Sequence, residues 1–394
     1  MASVPTDNTA AYELYLQAKR TNPDHPETRV TEAETEQSIQ LYRRAVELDS
    51  TFADAWARLA DAYVGRAWRR NWDPAWADSG RRATERALEL NPDLAYAHVQ
   101  LGDAHWVLGN MEKQAKAYRR AWELRPELVV ANNLIVSLGR RGRFAQKLKW
   151  MDRVLEVSPG SPGDVRSLVT TNLLLGRDSV AEAWRRYARE RGVSLTEVDF
   201  HVALLHHADV DRALALLQRA PPGETAVGQR QKRAALALYR SDWTRARRLY
   251  RQLSPPPVLG VDIAGGLLSD RLGLAWALEK LGQRREAEHI AEQVRADARD
   301  AVDGNVPGSG PRNRLAVAHL LLGDTGRALD WLETAVDVGE RNRFLLESVP
   351  TLAPLRQHRR FQRLLDQIDE HLAEQQRRAE RNGWGEPREV SRER

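Results

Sequence analysis

The side chains that could together bind a metal ion lie closest at 206–209, where two adjacent histidines precede Asp209. Imidazole and carboxylate groups are common ligands of zinc and related metals. Neighbouring residues of a helix, however, point to different sides, so His206 and His207 do not converge on one ion. Ordinary surface or packed histidines are the simpler interpretation, and the pair His289 and Glu292 offers no better metal site.

Cysteine is absent from the 394 residues, which excludes disulfides, thiolate metal sites and cysteine nucleophiles. No Ser-His-Asp set or pair of carboxylates can be argued from spacing, because a helical chain scatters such residues over its surface. The sequence therefore indicates no catalytic residues, no cofactor and no metal. A hydrolase or metal-dependent enzyme hidden in the chain is kept as the alternative from another class.

A basic stretch at 229–253 is the one strong charge imbalance in a chain whose formal net charge is +5. Against the single acid Asp242 it carries eight cations: Arg230, Lys232, Arg233, Arg240, Arg245, Arg247, Arg248 and Arg251. On a helix these side chains point in several directions, so they define no single clamp. A solvated face is the plainest interpretation, followed by an acidic protein partner and, least favoured, nucleic acid.

A recurring phrase shows which elements must carry any site. AYRRAWELRPE at 117–127 repeats LYRRAVELDST at 41–51 and, more loosely, TERALELNPDL at 84–94. Equivalent alanines at 45, 87 and 121 are 42 and 34 residues apart, and prolines at 92, 126 and 159 are 34 and 33 apart. A period near 34 residues indicates stacked helical hairpins.

The clearest unit is 95–128, which contains Leu101-Gly102, Gly109, Ala121 and Pro126. Small residues let two helix backbones approach, and a glycine can take the left-handed conformation that ends the first helix. Proline stops the second helix. This unit resembles the tetratricopeptide repeat, which has a Leu-Gly pair in its first helix and aromatic, Ala and Pro positions in its second.

Anchor alanines continue the pattern downstream, and they are Ala181, Ala213, Ala246, Ala287 and Ala328. We therefore predict an all-α fold, a right-handed superhelix (α-solenoid) of about nine stacked hairpins. Residues 1–10 form an N-terminal extension and 11–371 the array, with loops near 254–266 and 303–312. The tail at 372–394 mixes charges and lacks an apolar stripe, so it is predicted to be disordered.

The two ends of the array resemble a more specific group of repeat proteins. PTDNTAAYELYLQAKR and the stretch from ALDWLETAV to Phe361 look like the ends of the repeat region of bacterial signalling proteins, over residues 5–368. Those proteins also carry a Ser/Thr kinase, nucleotide cyclase or winged-helix domain, and motifs of such domains are missing here. The resemblance implies a regulatory array without its output domain, encoded alone or supplied as a fragment.

The apolar runs are too short to cross a bilayer, so we expect no transmembrane segment. A cytoplasmic location is expected, or an extracytoplasmic one if the chain is part of a membrane-anchored protein. The sequence does not indicate an oligomeric state.

The family resemblance also implies where a partner binds, because the first helices of tetratricopeptide hairpins line a concave groove. Projected onto this sequence, the groove residues are Asp61, Tyr96, Val99, Asp103, Trp106, Asn132, Arg140 and Arg166. The four residues from Tyr96 to Trp106 share one helix face. Aromatic, acidic, amide and guanidinium groups together suit an extended peptide or protein partner. Packing against the next hairpin is the alternative.

Three tryptophans, Trp68, Trp72 and Trp76, surround Asp73-Pro74. Asp as N-cap and Pro in the first turn are typical of a helix start, so the tryptophans sit around a turn. They are expected either to cover the end of a long hairpin or, less simply, to form an aromatic knob for a partner.

Overall fold

The computed structural model describes residues 6–21, 31–69, 73–158, 161–206, 209–218, 225–253, 269–304, 306 and 308–387. All regular secondary structure within these ranges is helical, which confirms the predicted all-α class. The chain divides into two compact units, residues 1–137 with 303–307 and residues 138–302 with 308–394. Many consecutive helices pack on each other, and in the second unit the last helix also packs on the helix at Phe144–Val157.

Six helices lie wholly in the first unit, and they pack as consecutive hairpins. They are α1 Thr9–Thr21, α2 Glu32–Leu48, α3 Ala53–Arg69, α4 Pro74–Leu90, α5 Ala95–Val107 and α6 Met111–Leu124. The next helix, α7 Leu128–Arg140, begins in the first unit and ends in the second.

The repeated phrases occupy equivalent places in this unit. Ala45, Ala87 and Ala121 are all buried in the second helix of their hairpins. In each case the backbone N–H that caps the helix end, from Asp49, Asn91 or Arg125, donates to the carbonyl of that alanine. The sequence alignment of the three phrases is thus correct, and the alanines mark the close approach of paired helices.

The second unit contains the remaining helices. They are α8 Phe144–Val157, α9 Pro162–Leu174, α10 Asp178–Glu190, α11 Thr196–His201, α12 Val210–Gln218, α13 Ala226–Tyr239, α14 Trp243–Arg251, α15 Asp270–Lys280, α16 Arg284–Asp303, α17 Gly310–Leu321, α18 Thr325–Asp337, α19 Arg343–Ser348 and α20 Arg359–Arg381. A π-helical turn at Val202–His206 continues α11, and a 3₁₀ helix at Pro350–Leu355 precedes α20.

One turn recurs between the two helices of a hairpin. Gly109 follows α5 with φ of 71°, and the N–H of Asn110 donates to the carbonyl of His105 at 2.8 Å. This is the glycine-ended helix terminus expected from the sequence. The same bond pattern follows α9, α13, α15 and α17. After α13 the left-handed position is held by Ser241, with φ of 56°.

The C-terminal helix contradicts the prediction that the tail after residue 371 is disordered. α20 continues to Arg381, and the structure describes the chain to Pro387. Gln375 and Ala379 are buried and extend the apolar face of Phe361, Leu365 and Ile368 along the helix. In the sequence, the charged residues between these positions obscure the apolar stripe. Residues 388–394 lie outside the described part.

Two further boundaries differ from the prediction. α1 begins at Thr9, inside the predicted extension 1–10, and Thr6 before it is buried, with its hydroxyl donating to Asp49. The predicted loop at 303–312 is shorter, because α17 begins at Gly310 and accepts Pro311 in its first turn, where no N–H is needed. The predicted loop at 254–266 lies outside the described residues. Nowhere in the described chain is a helix long and apolar enough to span a membrane.

Candidate binding surfaces

The predicted groove residues lie in both units, and they differ in how far their side chains are exposed. Asp61, Tyr96, Val99 and Trp106 are partly exposed on α3 and α5, and Asn132 is exposed on α7. In the second unit, Arg140 is exposed at the end of α7 and Arg166 is partly exposed on α9. Whether these residues bind a partner remains a prediction.

Asp103 is the exception among them, because its side chain is engaged inside its own hairpin. The residue is 6% exposed, and the Tyr118 hydroxyl donates to its Oδ1 at 2.5 Å. Burial raises the pKa of Asp103 to about 7; Tyr118 opposes the shift, and the charge of Asp61 adds to it. For Asp103 the structure favours the packing alternative.

The close packing of α5 on α6 explains why position 102 holds a glycine. A Cβ atom on Gly102 would lie 2.5 and 2.6 Å from ring atoms of Tyr118. The glycine therefore admits the tyrosine ring, whose hydroxyl reaches Asp103. This is the close approach that the Leu-Gly pair indicated.

Between the first helices α3 and α5, an arginine lies on an aromatic ring at the predicted groove face. Arg58 Nη1 donates to the Tyr96 hydroxyl at 2.9 Å, and its guanidinium carbon lies 4.1 Å from the ring centroid. This pair joins two consecutive hairpins of the first unit. It places a cation and an aromatic ring side by side on a partly exposed surface.

Sequence reasoning missed a second surface, which lies on α8–α10 in the second unit and holds the chain's own residues Trp384–Glu386. Gly385 is bound through both of its backbone groups. Its N–H donates to both carboxylate oxygens of Asp152 at 3.1 Å. Its carbonyl accepts from Trp184 Nε1 at 2.7 Å and from Asn172 Nδ2 at 3.3 Å.

Arg177 binds the residues on either side of that glycine. Its Nη1 donates to the Trp384 carbonyl at 2.6 Å, and its Nη2 lies 3.1 Å from Glu386 Oε1. The Asn172 Oδ1 accepts from the same Nη1 at 2.9 Å and so orients the guanidinium. We call Asp152, Asn172, Arg177 and Trp184 the tail site.

The side chains of the tail site are buried with the segment in place. Asn172 is fully buried, Trp184 is 2% exposed and Arg177 is 4% exposed. Arg177 is the N-cap residue of α10 and comes directly after the left-handed Gly176. The hairpin turn itself therefore aims the guanidinium at the segment.

The tryptophans around Asp73-Pro74 and the histidines at 206–207 add little to these two surfaces. Trp76 packs on Tyr63 with ring centroids 5.7 Å apart, and Asp73 caps α4 by accepting from the Ala75 N–H at 2.9 Å. That contact favours the covering role for Trp76. Trp72 and the side chain of Trp68 lie outside the described part. His207 and the side chain of His206 do too, and within the described residues no group of three or more His, Asp or Glu could hold a metal ion.

The basic stretch at 229–253 uses several of its cations within the second unit. Arg240 pairs with Asp211, Arg251 with Glu286 at 2.9 Å, and Arg247 Nη1 donates to Gln283 Oε1 at 2.7 Å. Such internal partners favour the solvated-face interpretation over a nucleic-acid site.

Comparison with known proteins supports the repeat assignment in one hairpin. Residues 95–128, which hold α5 and α6, match the tetratricopeptide repeat model. No curated protein matches the sequence.

Three solved structures align over most of the chain. One is described as Naa15/Naa10 bound to HypK-THB (13% identity, TM-score 0.38), and the alignment covers 93% of this chain and 63% of that one. A tetratricopeptide repeat protein from Parabacteroides merdae has 12% identity and a TM-score of 0.33, with 88% and 99% covered. Yeast Tom70 has 12% identity and a TM-score of 0.37, with 92% and 99% covered.

Proposed function

We propose that this protein is a non-catalytic scaffold that binds an extended peptide or a protein partner along the first helices of its hairpins. The observation that carries this proposal is the partly exposed Arg58–Tyr96 pair on α3 and α5. The consecutive first helices α3 and α5 lie side by side there and offer an aromatic and a cationic group on one surface, and the next first helix, α7, carries the exposed amide of Asn132. A peptide needs both apolar contact and backbone hydrogen bonds, and this mixture supplies both.

The tail site supports the same function independently. Side chains of consecutive helices there bind a peptide backbone at a carbonyl, at an N–H and at the next carbonyl. The hairpins of this chain can thus present polar groups at the spacing of a peptide. The predicted role as the regulatory part of a bacterial signalling protein rests on the sequence resemblance alone.

A pair of matched variants tests the groove of the first unit. A partner would be captured from a lysate of the source organism, identified by mass spectrometry and then titrated as purified protein. Tyr96→Ala combined with Asn132→Ala removes an aromatic ring and an amide from the predicted face. We expect the variant to bind the partner at least about tenfold more weakly, because a truncated anchor commonly costs about 2 kcal/mol, which is about thirtyfold in affinity.

Arg119→Ala combined with Glu123→Ala is the matched control, since both residues are exposed on the second helix α6. The control should bind like the wild type, and circular dichroism should show that both variants keep their helix content. Equal affinity of the groove variant and the wild type, or loss of affinity only in the control, would place the partner on another surface.

A further inference from the structure

The tail site distinguishes three consecutive residues of the segment that it holds. At the first position, two cations lie over the Trp384 ring, with Lys149 Nζ 5.5 Å and the Arg378 guanidinium carbon 5.8 Å from the ring centroid. An aromatic face attracts cations, so this position favours an aromatic residue.

At the second position, only glycine fits. Gly385 has φ of 75°, a conformation that other residues rarely adopt, and it is buried. An added Cβ atom would lie 2.6 Å from Leu148 Cδ2. Both backbone and side-chain constraints therefore exclude a larger residue.

At the third position, the Glu386 carboxylate meets the guanidinium of Arg177 at 3.1 Å, while its side chain remains half exposed. The guanidinium also binds the Trp384 carbonyl, so one buried cation binds a backbone carbonyl and a carboxylate at the same time. The chemistry selected by the tail site is an aromatic residue, a glycine and an acid in that order.

The helix end delivers these residues to the site. Gly383 takes φ of 61° after α20, and the Trp384 N–H donates to the Ala379 carbonyl at 3.0 Å. This terminus stops the helix and turns the chain out of its axis. α20 itself is held by the buried side chains of Phe361, Leu365 and Ile368, which lie about four to six turns before the segment. The helix therefore has anchors of its own that the segment does not supply.

Buried charge in the tail site is poorly explained by packing alone. Desolvating Arg177 and Asp152 is costly, and apolar residues of similar size would hold a permanently docked helix end at least as well. Charges aimed at backbone groups instead suit a segment that leaves and returns, because water satisfies them when the site is open.

We propose that the tail site is a peptide-binding site for aromatic–glycine–acid segments, that Trp384–Glu386 occupy it as an internal competitor, and that a partner segment of the same chemistry displaces them. This inference rests on the proposed scaffold function and names a second binding site for it. Tethering gives the internal segment a high effective concentration, so an external peptide binds the wild-type chain weakly.

Displacement can be measured with a labelled peptide of the sequence NGWGEP, which copies residues 382–387. Gly385→Ala in the full chain is expected to release the segment because of the clash with Leu148. Fluorescence anisotropy should then show the labelled peptide binding this variant at least about tenfold more tightly than the wild type. Should Gly385→Ala aggregate, Glu386→Arg releases the same segment by opposing Arg177 with a second cation.

Two controls make the result specific. Adding Trp184→Phe to Gly385→Ala keeps an aromatic side chain, although a smaller one, and removes the Nε1 donor to the bound carbonyl, so it should weaken peptide binding by about tenfold. The peptide NGWAEP should not bind the opened chain. The inference is overturned if NGWGEP binds the folded, opened chain no better than the wild type, or if NGWAEP binds equally well.

A third outcome concerns the oligomeric state. If wild-type chains dimerise in sedimentation experiments and Trp184→Phe abolishes the dimer, the segment occupies the site of a second copy, and the internal competitor is refuted. Failure of these peptide experiments leaves the scaffold function standing, because that function is tested on Tyr96 and Asn132 in the first unit.

Discussion

At the scale of single residues, the packing of a hairpin changes the pKa of Asp103. Burial raises its pKa from the ordinary 3.8 to about 7, so the folded chain keeps a proton that the unfolded chain releases. Stability from this group is therefore greatest below pH 4 and is lost as the pH rises towards 7, by up to about 1.4 kcal/mol per pH unit.

Asp103→Asn removes this titration while its amide oxygen can still accept from Tyr118. The difference in unfolding free energy between variant and wild type should shift in favour of the variant between pH 4 and pH 7.5. Urea denaturation of both proteins across this range measures the difference and cancels the other titrating groups. A difference that stays constant with pH would contradict the burial of Asp103.

A second prediction concerns the room for a side chain at Gly102. Gly102→Ala forces a methyl group against the Tyr118 ring and should cost about 1–3 kcal/mol of stability. Gly139→Ala on α7 is the matched control, since its Cβ would lie an ordinary 3.5 Å from Lys147 Cδ. The control should be neutral or gain up to about 1 kcal/mol. Similar urea midpoints for the two variants would show that α5 and α6 are not packed this closely.

At the scale of elements, the register of α6 can be tested with one bulky residue at two positions. Ala121 is buried at the approach of paired helices, whereas Arg119 is exposed. Ala121→Trp should lower the unfolding free energy by about 1–3 kcal/mol more than Arg119→Trp. Thermal melts followed by circular dichroism compare them, and equal losses would mean that the helix face is wrongly assigned.

The hairpins were predictable from sequence because their signals are local. A small residue at the helix approach and a left-handed turn residue each act within a few positions, as at Ala121 and Gly109. Ser241 shows the limit of this reasoning. It takes the left-handed conformation without being glycine, and the neighbouring bond from Asp242 to the Ala237 carbonyl holds the turn.

The C-terminal helix was not predictable in the same way. Its buried positions beyond 371 include Gln375 and Ala379, which carry little apolar signal between charged residues. Gln375 is buried because its Oε1 accepts from the Ala145 N–H in the first turn of α8, 230 residues away. A contact with another helix end decides this burial, and no local pattern records it.

At the scale of the whole molecule, repeat spacing indicated the architecture but not the sites. Asp103 was placed on a ligand-facing helix side from periodicity, yet its bond with Tyr118 turns it into the hairpin. The tail site joins Asp152, Asn172 and Arg177 to residues more than two hundred positions later. The sequence NGWGE was visible at 382–386, but its receptor is assembled only by folding.

Amide hydrogen exchange of the full-length chain tests most directly whether its hairpins bind an extended peptide segment. In the wild type, the peptic fragment that contains Gly385 should exchange much more slowly than the free peptide NGWGEP, because the Gly385 N–H is buried against Asp152. Trp184→Phe should raise the exchange rate in that fragment about tenfold and leave fragments of α5 and α6 unchanged. Exchange of the wild-type fragment at the rate of the free peptide would contradict the account.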